Sequence, residues 1–142
     1  MRARLRRHQP RAGPFDIRRG DGGLVDVEFI AQCLQLAYGA THPHLAASMP
    51  LLQLLTALRD ADCLDEKAHE GLQAAAACFL SLRQIASLCL EDNEENPAPA
   101  IAALLLEALN EPDMSRLGQS IAAHRAYVAA CFETTMTQLR GL

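Results

Sequence analysis

The sequence predicts an all-α fold, a bundle of about five helices behind a basic, irregular N-terminal arm. Three observations carry that expectation. Half of the 142 residues are apolar, yet only 4% are aromatic and Trp is absent, so Leu and Ala, both strong helix formers, must supply the core. From Leu24 onward the apolar residues recur at three- and four-residue intervals over long segments. Short breaks rich in Gly, Pro, Asp and Asn separate those segments, and these residue types stop and start helices. This combination favours helix-on-helix packing over a sandwich or barrel. A chain of this length makes one domain able to bury a core.

The first helix is expected from Leu24 to about Tyr38, with Gly39 as its stop. Glu28, Gln32 and Gln35 form a thin polar stripe on it. Leu24, Val27, Phe29, Ile30, Cys33, Leu34 and Leu36 occupy most of the rest, so this helix is expected to be central. Ser48 reads as the N-cap of a second helix with Pro50 in its first turn, burying Leu51, Leu54, Leu55 and Leu58. Asp65 reads as the cap of a longer third helix to about Leu90, with Leu72, Ala75, Ala76, Phe79, Leu82 and Ile85 or Ala86 at helical spacing. The charged run 91–95, followed by Asn96 and Pro97, starts a short fourth helix that ends near Leu109. Asp113 then caps a last helix from Met114 to about Arg140. Its apolar stripe is Leu117, Ile121, His124, Val128, Phe132, Met136 and Leu139.

The net charge of −4 conceals an asymmetry. Residues 1–20 hold seven Arg against Asp16 alone, whereas the remainder holds six basic residues against sixteen acidic ones. A basic arm on an acidic body suits an acidic neighbouring domain, phosphates or nucleic acid. No aromatic residue precedes Phe15 in the arm, so a base-stacking platform is unsupported and nucleic acid ranks last. Five cysteines (Cys33, Cys63, Cys78, Cys89 and Cys131), odd in number and without a Cys-x-x-Cys pair, fit thiols in a reducing, cytoplasmic compartment better than a disulfide frame. The apolar runs are too short and interrupted to span a bilayer.

One stretch stands apart: GPFDIRRGDGGLVDVEFIAQ, residues 13–32. A diglycine followed by Asp26 and Glu28 suggests a carboxylate pair for a metal ion. Geometry opposes that reading. Residues two apart share a face only in a strand; in a helix they lie about 200° apart. Because the sequence after Gly23 reads helical, the two carboxylates are expected to diverge. Gly22 and Gly23 permit unusual backbone angles and close approach before a helix, and acidic side chains are favoured in its first turn. Arg18 and Arg19 are candidate partners for them. On these residues alone, a capped helix with surface ion pairs remains the simplest account.

The segment FDIRRGDGGLVDVEFIAQ resembles the Phe-Asp-Ile/Val-Lys…Gly-Gly-Ile/Leu-x-Asp-Ile-Glu-Phe-x-x-Gln motif of the glutamine synthetase adenylyltransferase/adenylyl-removing enzymes, which are related to the PII uridylyltransferases. The similarity is specific over residues 15–32; beyond them it rests on helical layout, with HPHL and LLQLLTAL as weaker support. Arg18 departs from the Lys common there, keeping charge but not hydrogen-bond geometry. In that family the motif follows a nucleotidyltransferase domain and opens a helical bundle, and MRARLRR resembles the segment closing that domain. The resemblance therefore implies that Met1 is internal, that residues 1–23 connect to a preceding catalytic domain, and that residues 24–142 are a regulatory and substrate-docking bundle. It implies Arg18, Gly22, Gly23, Asp26 and Glu28 as the edge of the catalytic site. It also implies glutamine synthetase and the PII signal protein as partners. The parent's reaction would be attack of a glutamine synthetase tyrosine on ATP with Mg²⁺.

The family's catalytic pair, Asp-x-Asp/Glu roughly ten residues after a Gly-Gly/Ser turn, is missing: Gly23 precedes Asp26 by too little, and no Walker loop occurs. No catalytic, cofactor-binding or metal-ligating residue is therefore assigned within this chain, and it is expected not to transfer AMP by itself. His42-Pro43-His44 reads as a plain loop, His124 as a core or interface histidine, and His69 carries no signal. The alternative to this reading is a stand-alone helical interaction module that binds an acidic partner through its arm.

Overall fold

A computed structural model describes residues 22–89 and 98–142. The architecture is helical, with no strand among the described residues. Helix α1 spans Leu24–Tyr38, a 3₁₀ turn Pro43–Ala46, α2 Leu51–Asp60, α3 Glu66–Cys89, α4 Pro99–Leu109 and α5 Met114–Arg140. The two longest, α3 and α5, pack most extensively on each other. Helix α1 lies against α5, α2 and α3, α2 closes over α3, and α4 bridges α3 and α5.

The core forms where the apolar stripes meet. Leu72, Ala75, Ala76, Phe79 and Leu82 of α3 are fully buried, as are Leu55 and Leu58 of α2 and Leu117 and Val128 of α5. Helix α1 contributes Leu24, Val27, Ile30 and Ala31, and Phe29 stacks on Phe132 of α5 with ring centroids 5.7 Å apart. Three of the expected start and stop signals are realised. Asp65 accepts from the Ala68 amide at 2.7 Å and Asp113 from the Arg116 amide at 2.8 Å, each satisfying an orphan donor of a first turn. Gly39 sits at the C-cap of α1.

Others differ. Ser48 does not cap α2: Pro50 occupies the cap position in extended conformation, with no side-chain cap bond, and the helix begins at Leu51. Helix α4 begins at Pro99, whose fixed φ suits a first helical position; Asn96, Pro97 and the acidic run 91–95 lie outside the described residues, as does Leu90. It ends on Asn110 in the left-handed region, with the Glu111 amide reaching back to the Leu106 carbonyl at 2.9 Å. Helix α1 is less central than its composition implies, since Leu36 is 83% exposed. The HPH segment is a 3₁₀ turn rather than a plain loop. It is fastened by Gln35, whose Nε2 donates to the carbonyls of Leu45 and Ala47, so the polar stripe of α1 holds a connection rather than facing only water.

Two features of α3 carried no sequence signal. His69 is buried beside Thr56 Oγ1 at 3.4 Å and Arg59 Nη1 at 3.5 Å, tying α3 to α2. Arg59 also pairs with Asp60 at 3.1 Å and Glu66 at 3.8 Å. Gly71, a residue that normally weakens a helix interior, lets the Tyr127 ring of α5 lie across α3, where its hydroxyl donates to the Lys67 carbonyl at 3.0 Å. A Cβ at position 71 would lie 2.1 Å from Tyr127 Cε1. Gly71→Ala should therefore destabilise the bundle, by about 1–2 kcal/mol. In a Tyr127→Ala background the same change should stabilise it by about 1 kcal/mol. Chemical denaturation of the four proteins in the cycle measures this change of sign.

Candidate functional site

The site is the corner where the diglycine enters α1. Gly23 is the N-cap, in extended conformation, and its carbonyl accepts from the Asp26 and Val27 amides at 3.1 and 3.3 Å. Glycine offers no side chain to cap the helix, and the carboxylate comes instead from the first turn: Asp26 Oδ2 accepts from the Gly22 amide at 2.8 Å. This is the reciprocal half of a capping box, displaced by one residue. Asp26 is only 8% exposed. Its burial is compensated by this charge-assisted bond and by its place at the positive end of the helix.

Gly22 has φ +74° and is buried. A Cβ there would lie 1.9 Å from the Arg125 carbonyl oxygen, in the middle of α5. The bare glycine backbone is what allows the chain to rest on that helix. The corner is thus fixed by three things together: a left-handed glycine, the Asp26 carboxylate beneath it and the α5 backbone behind it.

Glu28 lies on α1 two residues beyond Asp26 and is half-buried. In a regular helix two such side chains point about 200° apart, and Asp26 is turned back onto Gly22. The pair does not offer its oxygens to one ion in this arrangement, so no metal chemistry is derived from it. Among the described residues no group of three or more His, Cys, Asp or Glu side chains converges. Arg18 lies outside the described residues, as do Arg19 and the rest of the basic arm.

The other singled-out side chains sit elsewhere. His124 of α5 is half-buried, edge-on to Phe79 with ring centroids 6.2 Å apart; burial lowers its pKa, opposed by nearby Glu111. Cys33, Cys63, Cys78 and Cys131 are half-buried free thiols. Burial, helped by Glu111, pushes Cys78 up to about 11, the opposite of what a nucleophilic thiolate requires. His42 and His44 stand edge to face, 6.0 Å apart. None of the helices is long and apolar enough to cross a membrane, among the described residues.

A helical bundle opened by this corner is the architecture that the resemblance over residues 15–32 implied. The chain belongs to the GlnD PII-uridylyltransferase family, whose profile matches residues 1–136. Its curated relatives carry the name bifunctional glutamine synthetase adenylyltransferase/adenylyl-removing enzyme. One from Caulobacter vibrioides is 36% identical over 142 residues, covering 96% of this chain. Others, from Rhodopseudomonas palustris (strain HaA2) and Xanthobacter autotrophicus, are each 32% identical over 134 and 135 residues, covering 93% and 94% of it. The chain spans about 14% of the length of these three relatives.

The carboxylates and glycines singled out in the sequence lie together at the start of α1, with Asp26 and Glu28 two residues apart in one helix. Nothing in the sequence pointed to Arg125, whose contribution is a backbone carbonyl and therefore independent of its residue type.

Proposed function

We propose that this chain is the helical regulatory and substrate-docking domain of an enzyme that adenylylates and deadenylylates glutamine synthetase, and that it does not transfer AMP alone. The observation that carries the reading is the buried corner formed by Gly22, Asp26 and the Arg125 carbonyl. Such a corner sets the direction in which the connecting segment 1–23 leaves the bundle, and hence the orientation of a nucleotidyltransferase domain preceding it. In this reading Arg18, Gly22, Gly23, Asp26 and Glu28 shape the edge of that domain's site. Asp26 holds the turn and Glu28 is the carboxylate left to face across the boundary.

The names of the relatives support glutamine synthetase as the modified protein, and the family name supports a link to PII-type signalling. In this reading ATP and Mg²⁺ act in a preceding domain, and the engagement of Asp26 with the Gly22 amide supports that assignment. The unpaired cysteines and the absence of a spanning helix among the described residues support a cytoplasmic setting.

Glu28→Gln in the full-length enzyme tests the role of the boundary. AMP transfer to glutamine synthetase should fall about tenfold, as for loss of a charge-assisted contact, with the melting temperature of the bundle essentially unchanged. Full activity in that variant would return Glu28 to a plain helix-surface residue.

A further inference from the structure

At the opposite end of α1 from the diglycine corner lies a cavity of about 910 Å³, within the roughly 300–1,000 Å³ range of small-molecule sites. It forms where α1 and α5 end and α3 begins. One wall is apolar, from the buried Leu34, Leu64 and Leu72. Exposed Asp62 and Asp65 stand on the lining against Lys67.

A buried polar side chain in the same wall has no partner. Thr135 is 7% exposed and lines the cavity. Helical threonines usually return their hydroxyl to the carbonyl four residues back, as Thr56 does to Leu52 at 3.2 Å and Thr137 to Glu133 at 2.9 Å. Thr135 makes no such bond and no other among the described residues. The hydroxyl is not itself sealed from solvent; it is open on the cavity side, where a ligand group can bond it in place of water.

We propose that this cavity binds a small aliphatic amine carrying a hydrogen-bonding group at the far end of its stem. The ammonium meets Asp62 and Asp65, the stem lies along the three leucines, and the far group bonds the Thr135 hydroxyl. The charge of the surroundings agrees. The C-terminal ends of α1 and α5 bring Tyr38 and Gln138 to the lining with the partial negative charge of helix ends. The opposing N-terminus of α3 is already capped by Asp65.

Three lining groups sense the same field. Burial pushes the Tyr127 hydroxyl up to about 12, with Cys131, Asp65 and Glu70 adding to it. Burial raises Cys131, opposed by its bond to Tyr127 and helped by Asp65. Burial and then Asp62 raise Cys63. Each acidic neighbour disfavours a further negative charge in the cavity and favours a positive one. This proposal is independent of the function assigned to the diglycine corner.

The test is an amide NMR titration of the 142-residue chain with 5-amino-1-pentanol. Saturable shifts are expected at Leu34, Tyr127 and Thr135, with binding by 5-hydroxypentanoate, the charge-reversed analogue, at least about tenfold weaker. Asp62→Asn/Asp65→Asn, which keeps a capping side chain at position 65, should weaken binding about tenfold. Thr135→Val should weaken it about fivefold. Shifts that fail to saturate, a hydroxy acid that binds as tightly as the amine, or a double variant with unchanged affinity would each overturn the assignment.

Discussion

Gly22→Ala is expected to lower the melting temperature of the bundle by about 10 °C, followed by circular dichroism at 222 nm. Two costs combine. At φ +74° an L side chain is strained by about 1–2 kcal/mol. The added Cβ would also lie 1.9 Å from the Arg125 carbonyl oxygen, a backbone atom inside a 27-residue helix that has little freedom to give way, adding about 1–3 kcal/mol. A total near 3 kcal/mol corresponds to that shift for a chain of this size. Gly118→Ala is the control. It lies in the same α5, with nothing within 4 Å of its added Cβ, and should stabilise by about 1 kcal/mol. A Gly22→Ala protein melting within 2 °C of the parent would mean that the glycine corner is not a fixed seat. On the proposed reading, a corner forced off α5 would misdirect a preceding catalytic domain, so AMP transfer by the longer enzyme should fall even at temperatures where the bundle remains folded.

The contrast between these two glycines shows what a sequence can and cannot declare. The special backbone of Gly22 was legible as permissiveness before a helix, because a diglycine ahead of an apolar-periodic run has few other uses. Its partner was not, since Arg125 contributes a carbonyl that any residue type could supply. Asp65 and Asp113 were legible as caps because a cap acts within three residues. Ser48 misled for the complementary reason. Pro50 fixes its own φ and has no N–H to donate to a cap side chain, and α2 starts at Leu51.

Periodicity placed Leu34 in the core correctly, yet it gave Leu36 the same weight, and Leu36 faces out. Pattern reveals how wide an apolar face is, not how much of it neighbours cover. His69 and Gly71 could not be read at all. Their roles exist only where α2 and α5 cross α3, bringing Thr56, Arg59 and Tyr127 to them. The divergence of Asp26 from Glu28 needed no tertiary information, because helical geometry alone decides it.

Phe79→Ala should cost about 4 kcal/mol, as expected for truncating a fully buried aromatic, and it carries a second consequence through His124. The Phe79 ring is one of the groups that keep water from that imidazole, and burial holds the His124 pKa below its ordinary value against the pull of Glu111. A histidine whose folded pKa lies below its unfolded value of about 6.5 favours folding in its neutral form. Its contribution to stability is present above that unfolded value and is lost as pH falls through the lower folded one. The parent should therefore melt progressively lower as pH falls below about 6.5, whereas His124→Gln, which cannot charge, should show a flatter curve over the same range. Phe79→Leu, mild enough to keep the fold, should admit water to the ring and move the NMR titration of His124 upward, back toward its ordinary value. An unmoved titration in Phe79→Leu, together with an unchanged pH slope in His124→Gln, would show that the aromatic contact is packing alone and that the acid sensitivity of the bundle arises at other groups.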